Sequence, residues 1–185
     1  MTLLLVVLVF GGMIFLHELG HYLAARLFKI EVEEFGFGIP PRLWRFWRAP
    51  GSLTIAGRRI RIPSNFDLPF DGQAALHKNV QATVDSVNGE LFLRTLELVK
   101  SDENLAPLPD EQAPRPSARP LKRGELAVNG ALTELVQGTE WTLNWLPLGG
   151  FVRPKGEGDP DVPGGLAAAN PWKRLGVLFA GPFMN

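Results

Sequence analysis

An apolar run at the start of the chain constrains the fold more than any other feature. Residues 1–16 contain no charged side chain, and the apolar character returns after residue 21, from Tyr22 to Ala25. A membrane-spanning helix needs roughly 20 mainly apolar residues, and the run reaches that length only if His17, Glu18 and His21 lie inside the span. Charged groups at that depth cost about 2.5–3.5 kcal/mol each, so they are rare and usually functional. Residues 1–28 therefore predict a transmembrane helix that carries a functional site.

The spacing of these three polar residues predicts a metal site. In a helix, His17 and His21 lie one above the other on the same face, where both imidazoles can bind one ion. Glu18 is rotated by about 100° from His17, close enough to hold a water molecule at that ion. Zinc takes imidazole ligands and keeps a position open for water in catalytic sites, where the metal makes the water acidic near neutral pH. We expect His17 and His21 to bind Zn²⁺ and Glu18 to take the proton; a chance occurrence of the motif is disfavoured by the cost of placing it in an apolar helix.

The flanks of the helix predict its orientation. No Lys or Arg precedes the apolar run, which also argues against a secretory signal peptide, whereas five basic residues follow the motif: Arg26, Lys29, Arg42, Arg45 and Arg48. Basic residues near a span tend to stay in the cytoplasm. The N-terminus is therefore expected outside the cell, with residues 29–172 cytoplasmic or associated with the membrane.

The predicted fold is a membrane α+β protein with five segments. They are a transmembrane helix (1–28), a membrane-associated strand and interfacial segment (29–49), a polar β-rich insert with a Pro-rich linker (50–137), a membrane-associated hairpin and loop (138–169), and the truncated start of a second transmembrane helix (170–185). In the second segment we expect the strand to break at Gly36 and Gly38 and to end at Pro40-Pro41, leaving residues 42–48 as an interfacial segment or a basic turn.

Turn signals divide the insert. Asn88-Gly89 and Asn129-Gly130 each separate two short apolar runs, which predicts two β-hairpins. Residues 106–120 hold five prolines and predict a linker. His77 is the third histidine of the chain and is interpreted as a surface or structural residue. Further on, Gly149-Gly150 predicts a bend within a hairpin, which dips into the membrane or belongs to an ordinary soluble sheet.

Composition limits the classes of partner. The 19 basic and 19 acidic residues balance, so there is no basic footprint for nucleic acid, and the absence of cysteine excludes disulfides and zinc–thiolate sites. The expected partners are the lipid bilayer and a transmembrane protein substrate.

Four motifs together resemble the bacterial site-2 proteases, the intramembrane zinc metalloproteases of peptidase family M50. They are HELGH in the first helix, FGFG after it, GTEWTLNWLPLGGFVRPKGE, and NPWKRLGVLFAGPFMN, and they cover residues 1–48 and 138–185. The resemblance implies a location in the bacterial inner membrane, His17 and His21 as zinc ligands, and Glu18 as the catalytic acid and base. It also implies a sheet beside the site to which an unwound substrate adds as a strand, with Gly149, Gly150, Phe151 and Asn185 as candidate substrate-binding residues. The third metal ligand, an aspartate in a later transmembrane helix of the family, is expected beyond Asn185.

Two other classes remain as alternatives. A soluble zincin of the metzincin type needs Gly and His three and six residues after the second histidine, where this chain has Ala24 and Leu27. A truncated, non-catalytic membrane protein would bind a partner or substrate through its sheet and insert, since two histidines alone make a weak zinc site.

Overall fold

The computed structural model describes residues 1–99 and 125–185, which form two units. Residues 1–49 and 138–185 make up the first unit, and residues 50–137 belong to the second. The linker predicted at residues 106–120 lies outside the described residues.

Helix α1 (Thr2–Leu27) carries the histidine motif and is apolar on all sides. Within the described residues, its stretch Leu4–Leu27 is the one helix long and apolar enough to cross a membrane. Most of its large side chains are exposed, among them Leu5, Leu8 and Phe10. A helix that is apolar all round requires apolar surroundings.

Two long strands, β1 (Val32–Arg48) and β7 (Glu140–Pro154), form the sheet of the first unit. Residues 34–37 pair with two parts of β7, residues 140–143 and residues 150–153. Because a strand has two hydrogen-bonding edges, residues 34–37 lie between the two arms of β7. The second half of β1, residues 42–48, pairs with residues 140–144.

The prediction that the first strand breaks at Gly36 and Gly38 and ends at Pro40-Pro41 is wrong. The strand continues through these residues to Arg48, with several irregularities of register. The glycines allow close approach instead of breaking the strand: a Cβ on Gly36 would overlap the Phe151 ring, and one on Gly38 would overlap the carbonyl oxygen of Leu146. Residues 42–48 are thus part of the sheet rather than a separate segment.

Two acidic residues hold the arginines of this sheet. Glu34 is buried, accepts a hydrogen bond from the Thr142 hydroxyl at 2.7 Å, and pairs with Arg42 at 3.2 Å and with Arg153 at 3.1 Å. Glu140 pairs with three residues of the second half of β1: Arg42, Arg45 and Arg48. Burial raises the pKa of the Glu140 carboxyl, but the hydrogen bond and charge of Arg48, helped by the other two arginines, more than offset it and hold that pKa below its ordinary value. Three of the five basic residues that follow the histidine motif are therefore neutralised by the sheet.

A cluster of aromatic rings fixes α1 on the sheet. Phe35 is 1% exposed and lies at its centre. Its ring contacts Phe15 and Tyr22 from α1, with centroids at 5.9 and 5.6 Å, and it stacks on Trp141 of β7 at 4.6 Å. This packing sets which face of α1 meets the sheet.

Helix α3 (Pro171–Met184) packs against α1. It begins within the segment 170–185 predicted to start a helix. Pro171 is in the first turn, and the Asn170 side chain accepts a hydrogen bond from the Trp172 amide at 3.0 Å. A Cβ on Gly20 would lie 2.9 Å from the carbonyl carbon of Ala180, so glycine lets the two backbones come close. The 14 residues of α3 rise about 21 Å, less than the roughly 30 Å of a bilayer core; that α3 begins a second span stays a prediction.

The second unit contains a closed barrel of five strands in the order β2-β3-β5-β4-β6. These are β2 (Gly51–Ile55), β3 (Arg58–Ile62), β4 (Asn79–Val87), β5 (Glu90–Leu98) and β6 (Glu125–Val136), with a single helical turn, α2 (Gly72–Ala75), between β3 and β4. Its interior is filled by aliphatic side chains, among them Ile55, Ile60, Val80, Val84, Leu93 and Leu132. β4 and β5 form the hairpin predicted at Asn88-Gly89, where both residues have positive φ.

The second predicted hairpin, at Asn129-Gly130, is wrong. β6 continues through these residues, pairing with β4 from Glu125 to Ala131 and with β2 from Leu132 to Val136. Gly130 lies where the strand passes from one neighbour to the other, with φ of 152° and its Cβ position 2.9 Å from the Ala56 methyl. Asn129-Gly130 therefore lies at a bend within a barrel strand.

Candidate metal centre

Helix α1 brings the two histidines of the motif together. The ring centroids of His17 and His21 are 4.8 Å apart, and the ring planes meet at 78°. Both residues are partly buried, on the side of α1 that faces α3. The four-residue spacing thus produces the pair of neighbouring imidazoles that it predicted.

The two rings direct their Nε2 atoms at one small space. A Cβ built on Gly181 of α3 would lie 2.8 Å from His17 Nε2 and would overlap His21 Nε2. The missing side chain of Gly181 therefore leaves an atom-sized gap next to both nitrogens. Zinc binds imidazole nitrogen at roughly 2.0–2.1 Å, so two Nε2 atoms that approach one point are suited to share a single ion.

Hydrogen bonds of the Nδ1 atoms decide which nitrogen is free to bind a metal. His21 Nδ1 is 2.7 Å from the carbonyl oxygen of Val177, to which only a protonated nitrogen can donate. Nε2 of His21 consequently keeps its lone pair. His17 Nδ1 lies 3.1 Å from the side-chain nitrogen Nδ2 of Asn185. Metal-binding histidines in general bond their second nitrogen to an oxygen, as His21 does here.

Glu18 lies where α1 meets β7. Its Cγ is 3.6 Å from the Cβ position of Gly150. The Cβ position of Gly149 is 3.8 Å from Cγ2 of Ile14, which is also in α1. The bend of β7, with Gly149 at φ of 87°, thus runs past the glutamate of the motif. A carboxylate that follows His17 in the helix and lies next to a main-chain bend is suited to acid–base chemistry on a peptide.

The other two predicted site residues occupy different places. Phe151 lies on the sheet, with its ring against Gly36 and the Arg153 guanidinium 5.6 Å from the ring centroid. Asn185 contacts His17 directly. Whether Gly149, Gly150, Phe151 and Asn185 bind substrate stays a prediction. Within residues 1–99 and 125–185, no third His, Cys, Asp or Glu joins the histidines in a group that could hold a metal.

Sequence reasoning missed Val177 and Gly181 as neighbours of the histidines. A signal was present, since glycines in apolar helices often mark close helix contacts, and Gly20 and Gly181 each stand in an apolar helix. What a sequence alone cannot supply is the register of α3 along α1, which decides which glycine lies opposite the imidazoles.

Comparison with known proteins identifies similar sequences. Residues 5–56 and 128–185, more than half of the chain, match peptidase family M50. Three bacterial proteins that carry the provisional name zinc metalloprotease also match: one from Fusobacterium nucleatum is 50% identical over 44 residues, one from Thermotoga maritima 48% over 44 residues, and one from Borreliella burgdorferi 50% over 46 residues.

These matches are short. They cover 24%, 24% and 25% of this chain and only 13%, 9% and 11% of the respective relatives. The family match leaves out residues 57–127, most of the barrel unit. No solved structure gives a significant match to the chain.

Proposed function

The chain belongs to peptidase family M50, and we propose that it forms the N-terminal part of an intramembrane zinc metalloendopeptidase that cleaves transmembrane proteins. The observation that carries the proposal is the pair of Nε2 atoms, from His17 and His21, that flank the gap left by Gly181. They do so on a helix whose length and apolar surface suit a bilayer. The names of the relatives as zinc metalloproteases support zinc as the ion.

The proposed chemistry divides between the ion and this chain. His17 and His21 hold zinc through Nε2, and a third ligand is expected beyond Asn185. When bound, zinc acts as a Lewis acid on water and on the carbonyl of the scissile peptide bond. The Glu18 carboxylate takes a proton from the attacking water and delivers it to the leaving amine.

The sheet offers a place for an extended substrate. The second arm of β7, residues 150–154, has β1 as its strand neighbour on one side and no described strand on the other. A substrate segment that has lost its helical structure can add to such an edge through main-chain hydrogen bonds. Gly150 at the start of this arm lies against Glu18, so a peptide bound there would pass close to the proposed acid and base.

We place the site in the bacterial inner membrane, with the N-terminus outside and residues 29–172 cytoplasmic or membrane-associated. Exposed side chains on the sheet, Trp44, Trp145 and Leu148, are 62%, 66% and 53% exposed and suit contact with lipid. Arg26 in the last turn of α1 and Lys29 just after the helix suit the cytoplasmic surface.

The test compares two Glu→Gln variants of the full-length protein in vesicles with a transmembrane substrate. Glu18→Gln should reduce the cleavage rate by about 10²–10⁴-fold, the usual contribution of a general acid and base, while zinc content stays at the wild-type level. Glu33→Gln is the matched control, because Glu33 is exposed on β1, and should cleave at the wild-type rate. Wild-type cleavage by Glu18→Gln would eliminate the proposed mechanism.

A further inference from the structure

We propose that α3 and its C-terminal cap contribute to the metal centre. Gly181 leaves room for the His17 and His21 rings to bind one ion, and Asn185 orients the His17 ring. The inference rests on the proposed function, since it concerns the same ion. It assigns roles to residues outside the histidine motif, on the basis of the contacts between α1 and α3.

Two residues of α3 and the residue that caps its C-terminus meet the histidines. Val177, Gly181 and Asn185 follow one another at four-residue intervals, which places them on one side of the helix and its cap. Each lies against an imidazole: Val177 O accepts from His21 Nδ1, the Cβ position of Gly181 is close to both Nε2 atoms, and Asn185 contacts His17 Nδ1. One helix face thus supplies all the described polar partners of the two rings.

The role of Gly181 depends on its having no side chain. A methyl group there would overlap His21 Nε2 and lie 2.8 Å from His17 Nε2. The His21 ring cannot easily move away, because its Nδ1 is held by Val177 one turn earlier in α3. An alanine at this position would therefore displace the two nitrogens from the arrangement in which they would share one ion.

Asn185 acts through its amide oxygen. For Nε2 of His17 to offer a lone pair to the ion, Nδ1 must carry the proton and donate it in a hydrogen bond. The structure has Asn185 Nδ2 at 3.1 Å from His17 Nδ1. The nitrogen and oxygen of an amide have nearly the same shape, and a half-turn of the Asn185 amide puts Oδ1 in that position as the acceptor. Partners of this kind fix the ring and its tautomer, and their loss typically weakens metal affinity about 10–100-fold.

The first experiment measures zinc per chain and zinc affinity, by chelator competition, in the full-length protein. Gly181→Ala should lose stoichiometric zinc. Gly176→Ala is the matched control, because Gly176 is in the same helix, α3. Its added methyl would lie 2.5 Å from the Phe28 ring and would not approach either histidine. This variant should keep one zinc. Equal zinc binding by Gly181→Ala and wild type would overturn the role of Gly181, and so would an equal loss in both variants, which would indicate helix packing as the cause.

The second experiment separates positioning by Asn185 from general structure. Asn185→Leu should weaken zinc binding about 10–100-fold, whereas Asn185→Asp, which keeps an acceptor oxygen in place, should bind zinc at least as tightly as wild type. Wild-type affinity in Asn185→Leu, or equal weakening in both variants, would refute the role of the oxygen. If the wild-type protein itself bound no zinc, both the proposed function and this inference would fail. If the wild type and all the α3 variants bound zinc equally, only this inference would fail.

Discussion

Replacing Phe35 by alanine tests whether the aromatic cluster holds α1 on the sheet. Phe35 is 1% exposed and has four aromatic neighbours, Phe15, Tyr22, Phe37 and Trp141, with centroids between 4.6 and 5.9 Å. A buried Phe→Ala change costs about 3–5 kcal/mol in free energy of unfolding. At about 2–4 °C per kcal/mol for a protein of this size, the midpoint of thermal unfolding should fall by about 6–20 °C.

The assay is near-ultraviolet circular dichroism of the protein in detergent micelles, because the stacking of Trp141 on Phe35 contributes to that signal. Phe46→Ala is the control: Phe46 is also in β1 but is 41% exposed and reaches only Phe37 and Trp44, at 6.0 and 6.1 Å. It should cost about 1 kcal/mol or less. Equal shifts for the two variants would refute the claim that the cluster anchors the helix.

Three further predictions concern the barrel, the ion pairs and the second helix. Leu132→Ala, at a fully buried barrel position, should lower the free energy of unfolding by about 3–5 kcal/mol. Leu126→Ala in the same strand, where the side chain is 47% exposed, should lower it by less than about 1 kcal/mol. Chemical denaturation of the two variants checks this, and similar unfolding midpoints would contradict the barrel packing. Because its pKa is lowered in the folded state, Glu140 contributes stability that is present above its unfolded pKa and lost as the pH falls through the folded pKa. The stability difference between wild type and Glu140→Gln should therefore shrink as the pH is lowered below about 4.5, and unfolding midpoints that differ equally at neutral and acid pH would disprove this. Asn170→Ala removes the side-chain cap of α3 and should cost about 1 kcal/mol, measured by thermal unfolding, while Asn170→Ser should retain most of it; no loss in the alanine variant would contradict the cap.

Local rules predicted the parts of this fold that depend on neighbouring residues. The apolar run and the four-residue spacing of His17 and His21 required only the geometry of one helix, and Asn88-Gly89 required only the φ values of one turn. The helix predicted within residues 170–185 begins at Pro171, where the fixed φ of proline suits a first helical turn.

Long-range pairing accounts for what the sequence failed to predict. Pro40-Pro41 and Asn129-Gly130 look like strand ends, yet each lies inside a strand because partners far away in the sequence continue the pairing on both sides. Gly36 was interpreted as a break, but its role depends on the Phe151 ring, more than a hundred residues later. The contacts of Val177, Gly181 and Asn185 depend on how α3 lies along α1, which neither helix encodes by itself.

The measurement that tests the central claim most directly is the zinc content of the full-length protein and of two histidine variants. We predict about one zinc per chain in the wild type, none above background in His17→Ala, and an unchanged content in His77→Ala, whose histidine belongs to the barrel unit. Zinc that persists in His17→Ala, or that disappears equally in His77→Ala, would contradict the assignment of the metal centre to α1.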